Sequence, residues 1–107
     1  METSNLLFIC SRNQWRSPTA EKIYSQRGFS TRSAGTSPNA KRTVSVKDIQ
    51  WATHIFVMEK KHKQRLLAKF TRLIRYKNIV VLDIPDEYQF MDDELISILE
   101  SSIEQHL

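Results

Sequence analysis

Apolar residues along the chain come in two textures: short unbroken runs, and longer stretches where they recur every three or four positions. Leu6-Leu7-Phe8-Ile9 and Ile79-Val80-Val81-Leu82 are unbroken and of strand length, and residues 53–58 are mainly β-branched and apolar. Such runs read as strands buried on both faces, here over residues 5–10, 53–58 and 78–83. Behind the first, the spacing predicts a helix from about Pro18 to Arg27. Ser17 is its expected cap, Ala20, Ile23 and Tyr24 its buried side, and Gly28 its left-handed end. Residues 29–33 form a weak second strand leading into the turn-rich Ala34-Gly35-Thr36-Ser37-Pro38-Asn39. After an irregular stretch, a short helix is expected over 46–51. From Glu59 to about Tyr76, Leu66, Leu67, Phe70, Leu73 and Ile74 recur at helical spacing with basic residues between them. A loop then carries residues 85–90, and Asp92 caps a last helix with Asp93 and Glu94 in its first turn.

Strands alternating with amphipathic helices predict the α/β class. The expected architecture is a single-domain, doubly wound, four-stranded parallel sheet over residues 1–107, with helices on both faces. Ligands of such sheets bind outside the carboxyl ends of the strands. Cys10 ends strand one and Asp86 follows strand four, so both are expected on one rim.

A hydrophobic fraction of 40% with 26% charged residues excludes disorder as the general state of the 107 residues. No apolar stretch approaches the ~20 residues that cross a bilayer, so no membrane role is expected. The N-terminus has neither a basic leader nor a long apolar run, and the one cysteine allows no internal disulfide. Both features suggest a cytoplasmic protein. A net charge of +4 attracts polyanions weakly without naming a partner.

Chemistry enters at Cys10-Ser11-Arg12-Asn13-Gln14-Trp15-Arg16-Ser17, which joins the first strand to the first helix. If the loop curls into a bowl, the backbone N–H groups of residues 11–16 form an anion-binding nest. The positive end of the helix points back into it. Arg16 lies far enough along to bring a planar, bidentate guanidinium over two oxygens of a phosphate, which a lysine does not match. A thiolate is the nucleophilic form of cysteine, and a helix N-terminus and an arginine favour it. Ser17 is placed to donate to the sulfur, and Asn13 tolerates the left-handed backbone a tight anion loop requires. The implied reaction is attack of Cys10 on phosphorus, giving a phosphocysteine that water hydrolyses. Asp86 is the candidate acid for the leaving oxygen, with Asp83 its competitor. Trp15, Tyr88 and Phe90 are candidate walls for an aromatic substrate.

Each piece has a plainer interpretation. A lone cysteine ending an apolar strand is usually a small buried hydrophobe, and an aspartate after proline is usually a turn residue. Together they carry more weight, because the bare cysteine–arginine–hydroxyl spacing arises by chance in roughly one chain of this length in a hundred. His54, His62 and His106 show no ligand spacing, so neither a metal nor another cofactor is expected. Lys60, Lys61, Lys63, Arg65, Lys69, Arg72 and Arg75 read as the solvated face of one helix, with nucleic acid the less favoured explanation.

Residues 7–10, Asn13, Arg16-Ser17-Pro18, Ala20-Glu21, Ser33-Ala34-Gly35-Thr36, Phe56-Val57-Met58-Glu59 and Asp83-Ile84-Pro85-Asp86 with Tyr88 resemble the motifs of the low-molecular-weight protein tyrosine phosphatases. The resemblance implies Cys10 as nucleophile, Arg16 as phosphate clamp and Asp86 as acid. It also implies that Asn13, Ser17 and Ser33 hold the loop in shape. Arg12 stands where that family usually has glycine, Trp15 where many members have a second cysteine, and Glu87 where proline usually follows the acid. Loss of the second cysteine leaves Cys10 open to irreversible oxidation. The chain is also shorter than typical members between Thr36 and Val46, where the family's loop-bracing histidine would lie. The expected function is hydrolysis of phosphotyrosine protein or small aryl phosphates. The alternatives are a phosphate-binding module with little catalysis and, less favoured, a glutathione-dependent arsenate reductase. Nothing in the sequence fixes the oligomeric state.

Overall fold

The computed structural model describes residues 4–107. Four strands, β1 (Asn5–Cys10), β2 (Ser30–Gly35), β3 (His54–Val57) and β4 (Ile79–Val81), form an all-parallel sheet in the order β2-β1-β3-β4. β1 is central, paired from Asn5↔Ser30 to Cys10↔Gly35 on one side and from Leu6↔His54 to Ile9↔Val57 on the other. This is the predicted α/β architecture, and the alternation along β1 shows why its run is apolar throughout. Leu6, Phe8 and Cys10 face α1 (Arg16–Gln26) and α5 (Asp93–Ile103), with Ala20, Tyr24, Leu95 and Leu99 fully buried against them. Leu7 and Ile9 face the opposite layer of α2 (Val46–Trp51), α3 (Lys60–Lys69) and α4 (Thr71–Ile74). No helix among the described residues is long and apolar enough to cross a membrane.

Three expectations shift. α1 begins at Arg16 rather than Pro18, and its capping residue is Trp15, without a side-chain cap. Ser17 does not cap it because its hydroxyl is taken by Cys10 and Asn13. The free N–H groups at the end of α1 are therefore left facing the Cys10 loop. β2 runs on to Gly35, because Ala34 and Gly35, read as turn, continue the ladder with Ile9 and Cys10; on the outer side Gly35 N–H donates to Arg42 O (2.8 Å) and Val44 N–H to Gly35 O (2.9 Å). The long helix over 59–76 is two, broken at Phe70 (φ −120°, ψ 34°). Thr71 Oγ1 takes the Leu67 carbonyl at 2.6 Å, the acceptor its own N–H would use in a continuous helix. The break keeps Phe70 and Ile74 in the core while Leu67 stays exposed. Asp92 caps α5 as expected, accepting from Glu94 N–H at 2.9 Å, and Gly28 has φ +93°.

Candidate active site

The site grows from the way β1 ends. Asn13 takes φ +56°, inside the left-handed region, which turns the chain between Cys10 and α1. Its side-chain amide donates to Ser17 Oγ (3.0 Å) and to Ser33 Oγ on β2 (2.9 Å), and Ser33 Oγ donates onward to Glu21 Oε1 (2.7 Å). Ser17 Oγ, already accepting from Asn13, has its own proton free for Cys10 Sγ at 3.0 Å. The relay Asn13→Ser17→sulfur is buried throughout and suits a thiolate acceptor.

The segment after β2 does the rest of the bracing. Thr36, Ser37 and Lys41 N–H donate to the carbonyls of Cys10 (3.0 Å), Ser11 (2.9 Å) and Arg12 (3.0 Å). In a trans peptide the N–H points opposite to the C=O. Tying three carbonyls outward therefore turns the N–H groups of Ser11, Arg12 and Asn13 away from that segment, toward the bowl. Gly35 makes the approach possible: a Cβ there would lie 2.5 Å from Ser11 O and 2.6 Å from the Ala40 Cβ. Ser11 is held from its far side as well. His62 Nδ1 accepts from Glu59 N–H (3.0 Å), so the neutral ring carries its proton on Nε2 and donates it to Ser11 Oγ (2.8 Å). Burial first, and the nearby Arg16 charge second, push the His62 pKa down from 6.5 to about 4, so the ring is neutral at ordinary pH.

Arg16, only 2% exposed, crosses under the bowl. Its Nη1 donates to Ile84 O (2.7 Å) and to the Glu59 carboxylate, and its Nε lies 3.7 Å from Asp86 Oδ1. Burial acts to raise the Glu59 pKa, but the Arg16 hydrogen bond and charge outweigh it and hold the carboxyl below its usual range. Cys10, Arg12, Gln14, Trp15, Arg16 and Asp86 line one depression at the carboxyl ends of the strands. Residues from the loops after β1 and β4 thus meet on the rim the topology predicted.

Other expected residues lie elsewhere. Tyr88 is half-buried against the cluster of α1 and α5, whereas Trp15, 40% exposed, lines the depression. Phe90 lines a groove next door with Trp15, Gln14, Lys41 and Glu21. Asp83, with φ +56°, sits in a separate shallow depression beside Glu59 and Lys60, away from Cys10. Glu59 and His62 were given no site role from sequence, yet two signals were present. Glu59 follows the end of β3 on the ligand-binding rim, and His62 stands three residues beyond it, the spacing at which a side chain reaches back to a helix-capping N–H. Among the described residues no cluster of His, Cys, Asp or Glu could hold a metal ion.

No family model and no curated protein matches the chain. Solved structures do. The arginine phosphatase YwlE from Geobacillus stearothermophilus superimposes with a TM-score of 0.71 at 21% identity, over 96% of this chain and 92% of that one. The tyrosine phosphatase Wzb from Escherichia coli K30, in complex with phosphate, gives 0.77 at 17% identity over 98% and 96%. The Erwinia amylovora tyrosine phosphatase AmsI gives 0.70 at 15% identity over 97% and 91%. The fold is that of the low-molecular-weight protein tyrosine phosphatases.

Proposed function

We propose that residues 1–107 form one catalytic domain of a phosphatase that cleaves aryl phosphate monoesters, phosphotyrosine foremost, through a cysteinyl phosphate. The observation that carries this reading is the convergence of a hydrogen-bonded thiol, a buried guanidinium and an exposed carboxylate on one small depression. Cys10 Sγ attacks phosphorus as the ester P–O bond breaks, and Asp86 delivers a proton to the departing phenolic oxygen. The carboxylate so formed takes a proton from water, whose oxygen attacks phosphorus, breaks the S–P bond and releases phosphate and thiolate. Inward N–H groups and Arg16 stabilise the charge on the three equatorial oxygens in both steps. Trp15 on the rim favours an aromatic leaving group over phosphoarginine, the substrate in the name of one structural relative.

The segment 36–42 weighs against a module that has lost its chemistry: it supplies three backbone donors to the carbonyls of the anion loop. Arsenate reduction would need an external thiol, since the chain has no second cysteine. The same lack suits a reducing cytoplasm, where a thiol without a resolving partner is protected.

The test is hydrolysis of para-nitrophenyl phosphate, phosphotyrosine and phosphoarginine by the unmutated protein and Cys10→Ser. Turnover of the two aryl esters, lost in the variant and blocked by vanadate, is the expected result. Turnover that survives Cys10→Ser, or phosphoarginine as the faster substrate, would overturn it.

A further inference from the structure

The charges around the bowl do not balance for a phosphate dianion unless the rim is counted. Arg16 is matched by Glu59 and has Asp86 at 3.7 Å, so its charge is already compensated before substrate or thiolate is added. Arg12 is exposed, lines the depression, and pairs with no carboxylate among the described residues. The family it resembles usually has glycine there, so this cation is a property of the present chain.

Arg12 does not stand alone. Lys41, whose N–H is bonded to Arg12 O, is exposed in the adjoining groove and pairs with no carboxylate among the described residues. Arg65 reaches from α3 to Thr36 Oγ1 at 3.2 Å, and Thr36 N–H is itself bonded to Cys10 O. Arg65 has no carboxylate partner among the described residues either, and the basic face of α3 extends beyond it through Lys61 and Lys69. The opposite rim carries Asp86 and Glu87, both exposed. Glu21, which shares the groove with Lys41, is engaged by Ser33, so the unpaired charges give the bowl one positive and one negative shoulder.

We infer that Arg12, Lys41 and Arg65 form a subsite for acidic side chains flanking the phosphorylated residue, so that the substrate is an acidic phosphopeptide segment lying across the positive shoulder. This rests on the phosphatase reading and specifies its substrate. A polypeptide fits better than a small ester because Arg65 belongs to a different element from the bowl and is reached by a chain continuing past it. Its carboxylates would take the three unpaired cations while the phosphate occupies the nest. Attraction of this kind acts chiefly on encounter and is weakened by salt.

The test compares two phosphotyrosine peptides that differ only in aspartates or serines around the phosphotyrosine, with para-nitrophenyl phosphate as a third substrate. The expected result is kcat/KM about tenfold higher for the acidic peptide, mostly through KM, with a steeper fall as salt is added. In the triple variant Arg12→Gln, Lys41→Gln, Arg65→Gln that ratio should drop to about one. All three residues are exposed, so the variant is expected to fold, and far-UV circular dichroism checks it. Equal rates on the two peptides alongside clear turnover of the aryl phosphate would overturn the subsite and leave the phosphatase reading intact. A ratio unmoved by the triple variant would also overturn it. If nothing is turned over, binding to Cys10→Ser decides: tighter binding of the acidic phosphopeptide keeps the subsite while the reaction fails. Competition by poly(U) at concentrations matching the acidic peptide would assign the belt to nucleic acid instead.

Discussion

The two sides of the bowl are built on opposite principles. On the side of β2 and α3, the residues whose side chains or close packing shape the anion loop are buried and committed: Asn13, Ser17 and Ser33 to one another, Gly35 to contact with Ser11, His62 to Ser11 and Glu59, Arg16 to Glu59 and Ile84. On the side of the loop after β4, Asp86 is 58% exposed and its one partner among the described residues is Arg16 at 3.7 Å. The contrast fits the task proposed for each side. A nest that must hold oxyanion charge gains by being preorganised, because its dipoles then cost no reorganisation when charge develops. A group that must give a proton to a leaving oxygen and later take one from water has to reach two positions, so it stands on a loop in solvent. Substitutions on the first side should therefore couple activity to stability, and substitutions on the second should not.

The coupling should be strongest at Arg16. In Arg16→Lys one ammonium cannot serve Ile84 O, Glu59 and a bidentate phosphate together. The expected loss in kcat/KM is about 10³-fold, with roughly 1–3 kcal/mol lost from folding as Ile84 O goes unpaired. Steady-state kinetics and urea unfolding measure the two losses, and a variant that loses activity at full stability would break the comparison. Gly35→Ala tests the same side without touching any catalytic group. Its Cβ has no room against Ser11 O and Ala40, and backbone cannot swing aside as a side-chain tip does. Overpacking of this kind costs roughly 1–3 kcal/mol. Displacing the loop by even part of an ångström should lower kcat by about 10²-fold.

How far the sequence disclosed all this follows the same division. The strands were legible because burial on both faces leaves an apolar run with no competing interpretation, as in β1 and β3. The meeting of Cys10, Arg16 and Asp86 was legible because a parallel sheet brings the loops at the carboxyl ends of its strands to one rim. The bracing was not, because much of it is backbone: the N–H groups of Thr36, Ser37 and Lys41 carry no side-chain signal, and residues 36–45 therefore read as irregular. Ser17 was placed correctly on the sulfur but also assigned to a helix cap, and one hydroxyl does not serve both. Of the two aromatic residues expected at the wall, Trp15 lines the depression and Tyr88 packs half-buried against the α1 and α5 cluster. The break at Phe70 was invisible to periodicity, since Phe70 and Ile74 keep helical spacing across it.

His62 adds a prediction about pH. Its pKa is about 4 in the fold and 6.5 when unfolded. As pH falls, the unfolded chain takes the proton first, so stability is complete above about 6.5 and declines toward pH 4. The total loss is ~3 kcal/mol. A protonated ring would also turn a second N–H against the Glu59 N–H it now accepts from. Glu59 and Asp48 act in the same direction but lower down, because both carboxyls are held below their usual range by arginine partners despite burial. Urea midpoints between pH 7 and 4.5 should therefore fall steeply in the unmutated protein. They should stay nearly flat in His62→Gln, whose amide has a donor for Ser11 and no proton to gain. A parallel slope in both would show that the loss does not come from this ring.

Asp86→Asn should have the smallest effect on the fold and one confined to one step of the chemistry. An exposed carboxylate with a single 3.7 Å contact is expected to change stability by less than ~0.5 kcal/mol. The amide keeps the shape but has no proton to give, so the loss should depend on how much help the leaving group needs. For nitrophenolate, which departs readily as an anion, kcat/KM should fall about tenfold, and for an unactivated phenol about 10²-fold or more. Plotting log kcat/KM against leaving-group pKa for both proteins gives the decisive slope. A steeper dependence in the variant identifies Asp86 as the proton donor, while parallel lines would move that role to another group and leave the open side of the bowl with a purely electrostatic task.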